Sequence, residues 1–160
     1  MLRIAVIGAG RIGKIHAANV ARNARTRLAA VVDPIADLGR VLARSLNAPW
    51  TGDAKAAIAD REVDAILIAT PSDTHVGLIE QAAAAGKPIL CEKPLDVDIA
   101  KVDRCLASLA PFTHDVFRAD RPSNLPFEPR LAPLQFRDSL YLPNIFPGPE
   151  FRSSNSTPRE

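Results

Sequence analysis

The chain has 160 residues, enough for one domain of ordinary size, and a formal net charge of +2, too small for the broad basic field that nucleic acid requires. No apolar run is long enough to span a bilayer, and the start Met-Leu-Arg leads straight into a strand pattern without a signal-peptide h-region, so neither a membrane nor a nucleic-acid partner is expected. The two cysteines, Cys91 and Cys105, lack metal-ligand spacing and suit a reducing compartment, so the expectation is a cytoplasmic protein with no metal.

In chain order, a short apolar run, Ile4 to Ile7, precedes Gly8-Ala9-Gly10-Arg11-Ile12-Gly13. A helix is predicted from Arg11 to about Asn23, with Ile12, Ile15 and Asn19 on one face and Ala18 beside them; Lys14 and His16 read as solvated or packed. Leu28–Val32 is apolar throughout, as a strand covered on both faces would be, and ends on Asp33. A second helix is predicted from Pro34 or Ile35, with Leu38, Val41, Leu42 and Ser45 as its stripe and Asn47 as a left-handed stop. Residues 48–51 read as a short edge strand and Asp53 as the start of a short helix to about Asp60. Strands at 65–69 and 88–92 bracket a helix carrying Val76, Ile79 and Ala83 and ending at Gly86. A last helix from about Asp98 carries Ile99, Val102, Leu106 and Leu109.

Strands alternating with helices predict an α/β fold, a Rossmann-type doubly wound parallel sheet of order 3-2-1-4-5. The glycine pattern between strand and helix is the dinucleotide-binding fingerprint in its proper context. Gly8 permits the sharp turn, Gly10 lets a pyrophosphate approach the backbone, and Gly13 lets the helix pack on the strand. Asp33 lies 20 residues after Gly13, where an acid binds a ribose 2′-hydroxyl and repels a 2′-phosphate, so NAD is expected in preference to NADP. Asp33-Pro34 also reads as an N-cap followed by a first-turn proline, and the two roles are compatible. The glycine turn, Thr70-Pro71 and Glu92-Lys93-Pro94 all follow strand ends and are expected to line one crevice.

The segments GAGRIGKIH (8–16), VVDP (31–34), EVDAILIATPSDTH (62–75) and AAAAGKPILCEKPL (82–95) resemble the glucose-fructose oxidoreductase/inositol dehydrogenase/MocA family, and within it the inositol 2-dehydrogenase branch, over residues 1–110. The resemblance implies an NAD-dependent oxidoreductase moving hydride between nicotinamide and a secondary alcohol of a polyol or sugar. By match, Gly8, Gly10, Arg11, Ile12 and Gly13 would hold the pyrophosphate and Asp33 the adenosine ribose. Thr70 and Pro71 would line the cofactor path, with His75 beside it. Glu92 and Lys93 would lie near the nicotinamide ribose and the reacting carbon, with Lys93 in a proton relay as the catalytic candidate. The ordinary alternative for Lys93 is a solvated surface charge, and Cys91 reads as a small packed hydrophobe. The resemblance also implies a homo-oligomer built through a C-terminal α+β domain, of which no counterpart is visible.

Composition breaks near Leu109. All six phenylalanines and nine of the 14 prolines fall after residue 110, and no lysine does. Residues 1–117 are therefore taken as the nucleotide-binding domain, with Thr113–Phe117 as a possible last strand, and 118–160 as an irregular or disordered Pro-rich tail. His114-Asp115 has the chemistry of an acid–base pair, but its surroundings match nothing in the family. The tail is expected to reflect a broken reading frame or a gene remnant, the alternative being a genuine disordered or partner-binding extension. Two functions follow: a dehydrogenase that is catalytically incomplete as this chain, or a non-catalytic dinucleotide-binding module.

Overall fold

The computed structural model describes residues 1–109; Thr113–Phe117, His114-Asp115 and the segment 118–160 lie outside the described residues. Among the described residues five strands and five helices alternate: β1 (Leu2–Ile7), α1 (Arg11–Arg22), β2 (Thr26–Val32), α2 (Ala36–Ser45), β3 (Trp50–Thr51), α3 (Ala54–Ala59), β4 (Ala65–Ile68), α4 (His75–Ala84), β5 (Ile89–Cys91) and α5 (Ile99–Leu109). A single 3₁₀ turn, Ser72–Thr74, leads into α4. All pairings are parallel and the sheet order is β3-β2-β1-β4-β5, the doubly wound arrangement expected from the alternation.

Two apolar layers sandwich the sheet, and the strands divide between them with period two. Ile4, Val6, Val31, Ala65 and Leu67 pack with Ala17, Val20, Leu42 and Ala43 of α1 and α2. Ala5, Ile7, Val32, Ile66, Ile68 and Cys91 pack with Ile58, Ile79, Ala82 and Cys105 of α3, α4 and α5. Each large aliphatic side chain so buried contributes about 1.5–3 kcal/mol. Between Ile4 and Ala5 the β1–β2 register skips Ala29, a bulge that turns Ala29 and Ala30 toward the same layer.

Helices α1 and α2 bury different faces from those expected, whereas α4 buries Ile79 and Ala83 as expected. In α1 the buried residues are Gly13, Ala17 and Val20, and Ile15 is 53% exposed. In α2 they are Gly39, Leu42 and Ala43, with Leu38 and Val41 exposed. The cause is close helix–sheet approach: a Cβ on Gly39 would run into the Trp50 indole, and one on Gly13 into the Gly8 carbonyl. Small residues therefore face the sheet, and the larger ones beside them are turned away. In α5, Cys105 takes the core position expected for Leu106, and Ile99 is exposed. Helix α2 also starts later than expected. Its N-cap is Ile35, without a side-chain bond, because the Asp33 carboxylate accepts the Ile35 N–H at 2.8 Å instead of capping the first turn. Asn47 adopts φ 51°, the left-handed stop.

Candidate functional site

Strand register decides which loops share an edge. Ile7 pairs with Val32 on one side and Ile68 on the other, and Ile68 pairs with Cys91. The next residues, Gly8, Asp33, Ala69 and Glu92, therefore stand in one row past the carboxyl ends of the strands. The ladder continues through this row: Gly8 N–H donates to Val32 at 2.7 Å, Ala69 N–H to Ile7 at 2.8 Å and Glu92 N–H to Ile68 at 2.9 Å. At about 4.8 Å per strand, Glu92 stands roughly 10 Å from Gly8. The glycine turn, the Thr70 turn and the Glu92-Lys93-Pro94 turn thus rim one crevice at the switch point between β1 and β4.

Gly8 has φ +105° and packs so closely on Ala69-Thr70 that a Cβ would collide with that backbone. Gly10, by contrast, has open space where a Cβ would stand. It N-caps α1 with no side-chain bond, and α1 carries no acid in its first turn. The N–H groups of Arg11, Ile12 and Gly13 find no acceptor among the described residues. An open backbone cradle before unpaired N–H groups at a helix N-terminus suits an anion.

Asp33 is buried, and its two oxygens are split between the Ala9 N–H at 2.7 Å and the Ile35 N–H at 2.8 Å. An ionised carboxylate has about four lone-pair sites, so capacity for a diol remains. Trp50 Nε1 donates to the Asp33 carbonyl at 3.2 Å, and the Arg40 guanidinium lies 4.5 Å above the indole. These residues fit the pyrophosphate and ribose of a dinucleotide.

On the other side of the crevice, Thr74 Oγ1 lies 2.7 Å from both Thr70 Oγ1 and the Pro71 carbonyl, which stiffens the turn after β4. His75 is 1% exposed, so it holds the crevice from behind and does not face into it. Its Nδ1 meets the Pro94 carbonyl and its Nε2 the Thr70 carbonyl, both at 2.8 Å. Glu92 Oε1 meets His16 Nε2 at 2.5 Å, and Glu92 Oε2 accepts the Lys93 N–H at 3.3 Å. The Lys93–Pro94 peptide is cis, and Lys93 is exposed, its ammonium without a partner among the described residues. Burial pushes the Cys91 thiol up to about 12, in keeping with a packed side chain.

All the residues expected at the site thus gather at one edge, and His16 joins them. Two sequence signals bear on it: it closes the segment GAGRIGKIH, and it lies three residues after Gly13, on the same helical side. Trp50, Arg40 and the Ala9 N–H also gather around Asp33, and nothing in the sequence singles them out. Among the described residues there is no group of three or more His, Cys, Asp or Glu arranged for a metal ion, and no helix long and apolar enough to cross a membrane.

The chain is similar to known proteins over part of its length. Inositol 2-dehydrogenase of Rhizobium meliloti (strain 1021) is 47% identical over 106 residues, 66% of this chain and 32% of the relative. The rhizopine catabolism protein MocA of Rhizobium meliloti is 44% identical over 100 residues, 59% of this chain and 30% of its own. The chain thus spans about a third of the length of the curated relatives it matches. Among solved structures, myo-inositol dehydrogenase from Corynebacterium glutamicum superimposes with a TM-score of 0.67 at 40% identity, covering 70% of this chain and 34% of that one. Scyllo-inositol dehydrogenase from Lactobacillus casei with bound NAD(H) and scyllo-inositol gives 0.66 at 29% identity, with the same coverage. Residues 2–113 match the family described as "Oxidoreductase family, NAD-binding Rossmann fold", and the chain belongs to this Gfo/Idh/MocA family.

Proposed function

We propose that the crevice binds NAD(H), and that the chain carries the nucleotide half of a dehydrogenase acting on a secondary alcohol of a polyol or sugar, of the inositol 2-dehydrogenase kind, in the cytoplasm. The nucleotide-binding unit is taken as residues 1–117. The observation that carries the reading is the single row of Gly8, Asp33, Ala69 and Glu92, with Gly10 open and the first turn of α1 unpaired beside it.

In this reading Gly8, Gly10, Arg11, Ile12 and Gly13 receive the pyrophosphate, through backbone N–H groups and the field of α1. Asp33 accepts from the adenosine ribose hydroxyls and repels a 2′-phosphate, which favours NAD over NADP. Thr70 and Pro71 line the path, and His75 holds their turn. Glu92 and Lys93 stand at the nicotinamide end. Bound NAD⁺ supplies the hydride acceptor. Lys93, exposed and with no partner among the described residues, can swing its side-chain amine toward the substrate hydroxyl and accept the proton that the alcohol releases on oxidation, the ammonium returning it in the reverse direction. The relatives named inositol 2-dehydrogenase support a polyol as substrate, and a homo-oligomer is part of the same reading.

One observation favours a second reading, a binding module without turnover. Of the acid–base candidates at the crevice, His16, Glu92 and His75 are engaged with one another or with backbone, and Lys93 has no partner among the described residues. Titration of the chain with NADH, followed by nicotinamide fluorescence, tests the shared part; no saturable binding up to millimolar NADH would refute it. Turnover of myo-inositol with NAD⁺ separates the two: measurable turnover excludes the binding module, and saturable binding without turnover supports it.

A further inference from the structure

We propose that His16 and Glu92 form a latch across the crevice, and that this latch fixes the Glu92-Lys93-Pro94 turn where the nicotinamide half of NAD(H) is received. The inference rests on the nucleotide reading above and adds how the nicotinamide end keeps its shape.

His16 lies on α1, the helix that follows the glycine turn, and Glu92 is the first residue past β5, 76 residues on. Their side chains are 24% and 28% exposed and meet at 2.5 Å, Nε2 to Oε1. Since β4 stands between β1 and β5, the bond reaches past the carboxyl end of β4, where Ala69 and Thr70 begin the next turn. The Glu-Lys-Pro turn is pinned a second time by the Pro94 carbonyl, which His75 Nδ1 meets at 2.8 Å. Lys93 therefore sits between two histidine anchors, one from α1 and one from α4. Its own contribution to the turn is a long N–H contact to Glu92 Oε2 at 3.3 Å. Without His16, the three rotatable bonds of Glu92 are released and one anchor is lost.

The effect should be confined to one half of the ligand. Asp33 follows β2, three strands from Glu92, or roughly 14 Å at the usual strand spacing. The glycine turn is held by other groups, Ala69-Thr70 behind Gly8 and the Asp33 carboxylate on Ala9. An adenosine nucleotide that stops at the first phosphate therefore has no contact with the latch.

The test uses the 160-residue chain, with NADH fluorescence titration and competition by AMP, for the wild type, His16→Ala, Glu92→Ala, the double variant and His16→Gln. Each single alanine substitution should raise the Kd for NADH about tenfold and leave that for AMP within about twofold, a tenfold change being about 1.4 kcal/mol. The double variant should be no weaker than the weaker single one, because both remove the same bond. His16→Gln, which keeps an N–H donor near the position of Nε2, should recover most of the loss. In the ligand-free protein, the His16 ring signal in NMR should move in Glu92→Ala. Unchanged NADH binding in His16→Ala, equal losses of NADH and AMP, additive losses in the double variant, or an unmoved His16 signal would each overturn the latch. A wild-type chain that binds neither NADH nor AMP would overturn the nucleotide reading itself, so the two failures are distinguishable.

Discussion

Asp33 Oδ2 accepts the backbone N–H of Ala9 at 2.7 Å, so the acid that ends β2 also holds the middle of the glycine turn that ends β1. In the proposed nucleotide reading the same carboxylate also takes the adenosine ribose, and substitution should separate the two roles. Asp33→Ala leaves the buried Ala9 N–H without its acceptor, at a cost of about 1–3 kcal/mol in stability, and should weaken NADH binding by at least about tenfold. Asp33→Asn keeps one acceptor oxygen and should cost less stability. With the charge gone, its preference for NADH over NADPH should narrow. Urea unfolding and paired NADH and NADPH titrations measure both effects; an Asn variant as selective as the wild type would separate cofactor choice from this charge.

The glycines should divide in a different way. A Cβ at Gly13 would collide with the Gly8 carbonyl, backbone against backbone, and no side chain can move aside. Gly13→Ala should therefore destabilise the fold by about 1–3 kcal/mol, the range for overpacking. At Gly10 the space is open and φ is −69°, a value alanine adopts freely. Gly10→Ala should unfold within about 0.5 kcal/mol of the wild type, as substitutions away from core features do. Its NADH affinity should fall sharply, because the new methyl stands where the pyrophosphate would lie. A Gly10→Ala variant that binds NADH normally would remove the pyrophosphate from that cradle.

Much of this was legible in the sequence, for physical reasons that differ from residue to residue. The strands announced themselves because both sheet faces are covered, which forces unbroken apolar runs such as Ala65–Ile68. The crevice was legible because parallel strands put all their following turns at one edge. The buried faces of α1 and α2 were not. Close packing selects small residues, and Gly13, Ala17 and Gly39 give no hydrophobic signal while Ile15, Leu38 and Val41 give a misleading one. Nor was the bond between His16 and Glu92. A contact across 76 residues depends on helix rotation and strand register together, and neither leaves a local pattern.

His75 is expected to act through structure, not by touching the ligand. Its ring is buried and both nitrogens meet backbone carbonyls, those of Pro94 and Thr70. Removing it leaves a cavity and frees two turns that rim the crevice. His75→Ala should cost about 2–4 kcal/mol, the range for a large-to-small change with lost buried hydrogen bonds. Hydrogen exchange should rise in the segments around Thr70 and Pro94 before it rises in β1. Protection unchanged in both segments would show that the turns are held by other means.

At the opposite edge of the sheet, Arg3 and Asp64 tie the start of β1 to the start of β4. Arg3 donates from Nε at 3.0 Å and from its backbone N–H at 2.8 Å to Asp64 Oδ2, and from Nη2 at 2.8 Å to Oδ1, while the Asp64 N–H returns a bond to the Arg3 carbonyl at 2.8 Å. The Arg3 side chain first, and its backbone N–H second, hold the Asp64 carboxyl at about 2, below its ordinary 3.8. The sign follows from linkage. A carboxyl whose folded value is depressed binds protons more readily when unfolded, so its stabilisation is complete above 3.8 and is lost as pH falls toward 2. Solvent and salt screen a pair this exposed, so the share is modest. The urea midpoint of the wild type should fall through that acid window, and part of the fall should vanish in Asp64→Asn. The variant should melt a few degrees lower at neutral pH, and the gap should close near pH 2. Parallel midpoint-versus-pH curves for the two proteins would show that Asp64 carries no linked stability.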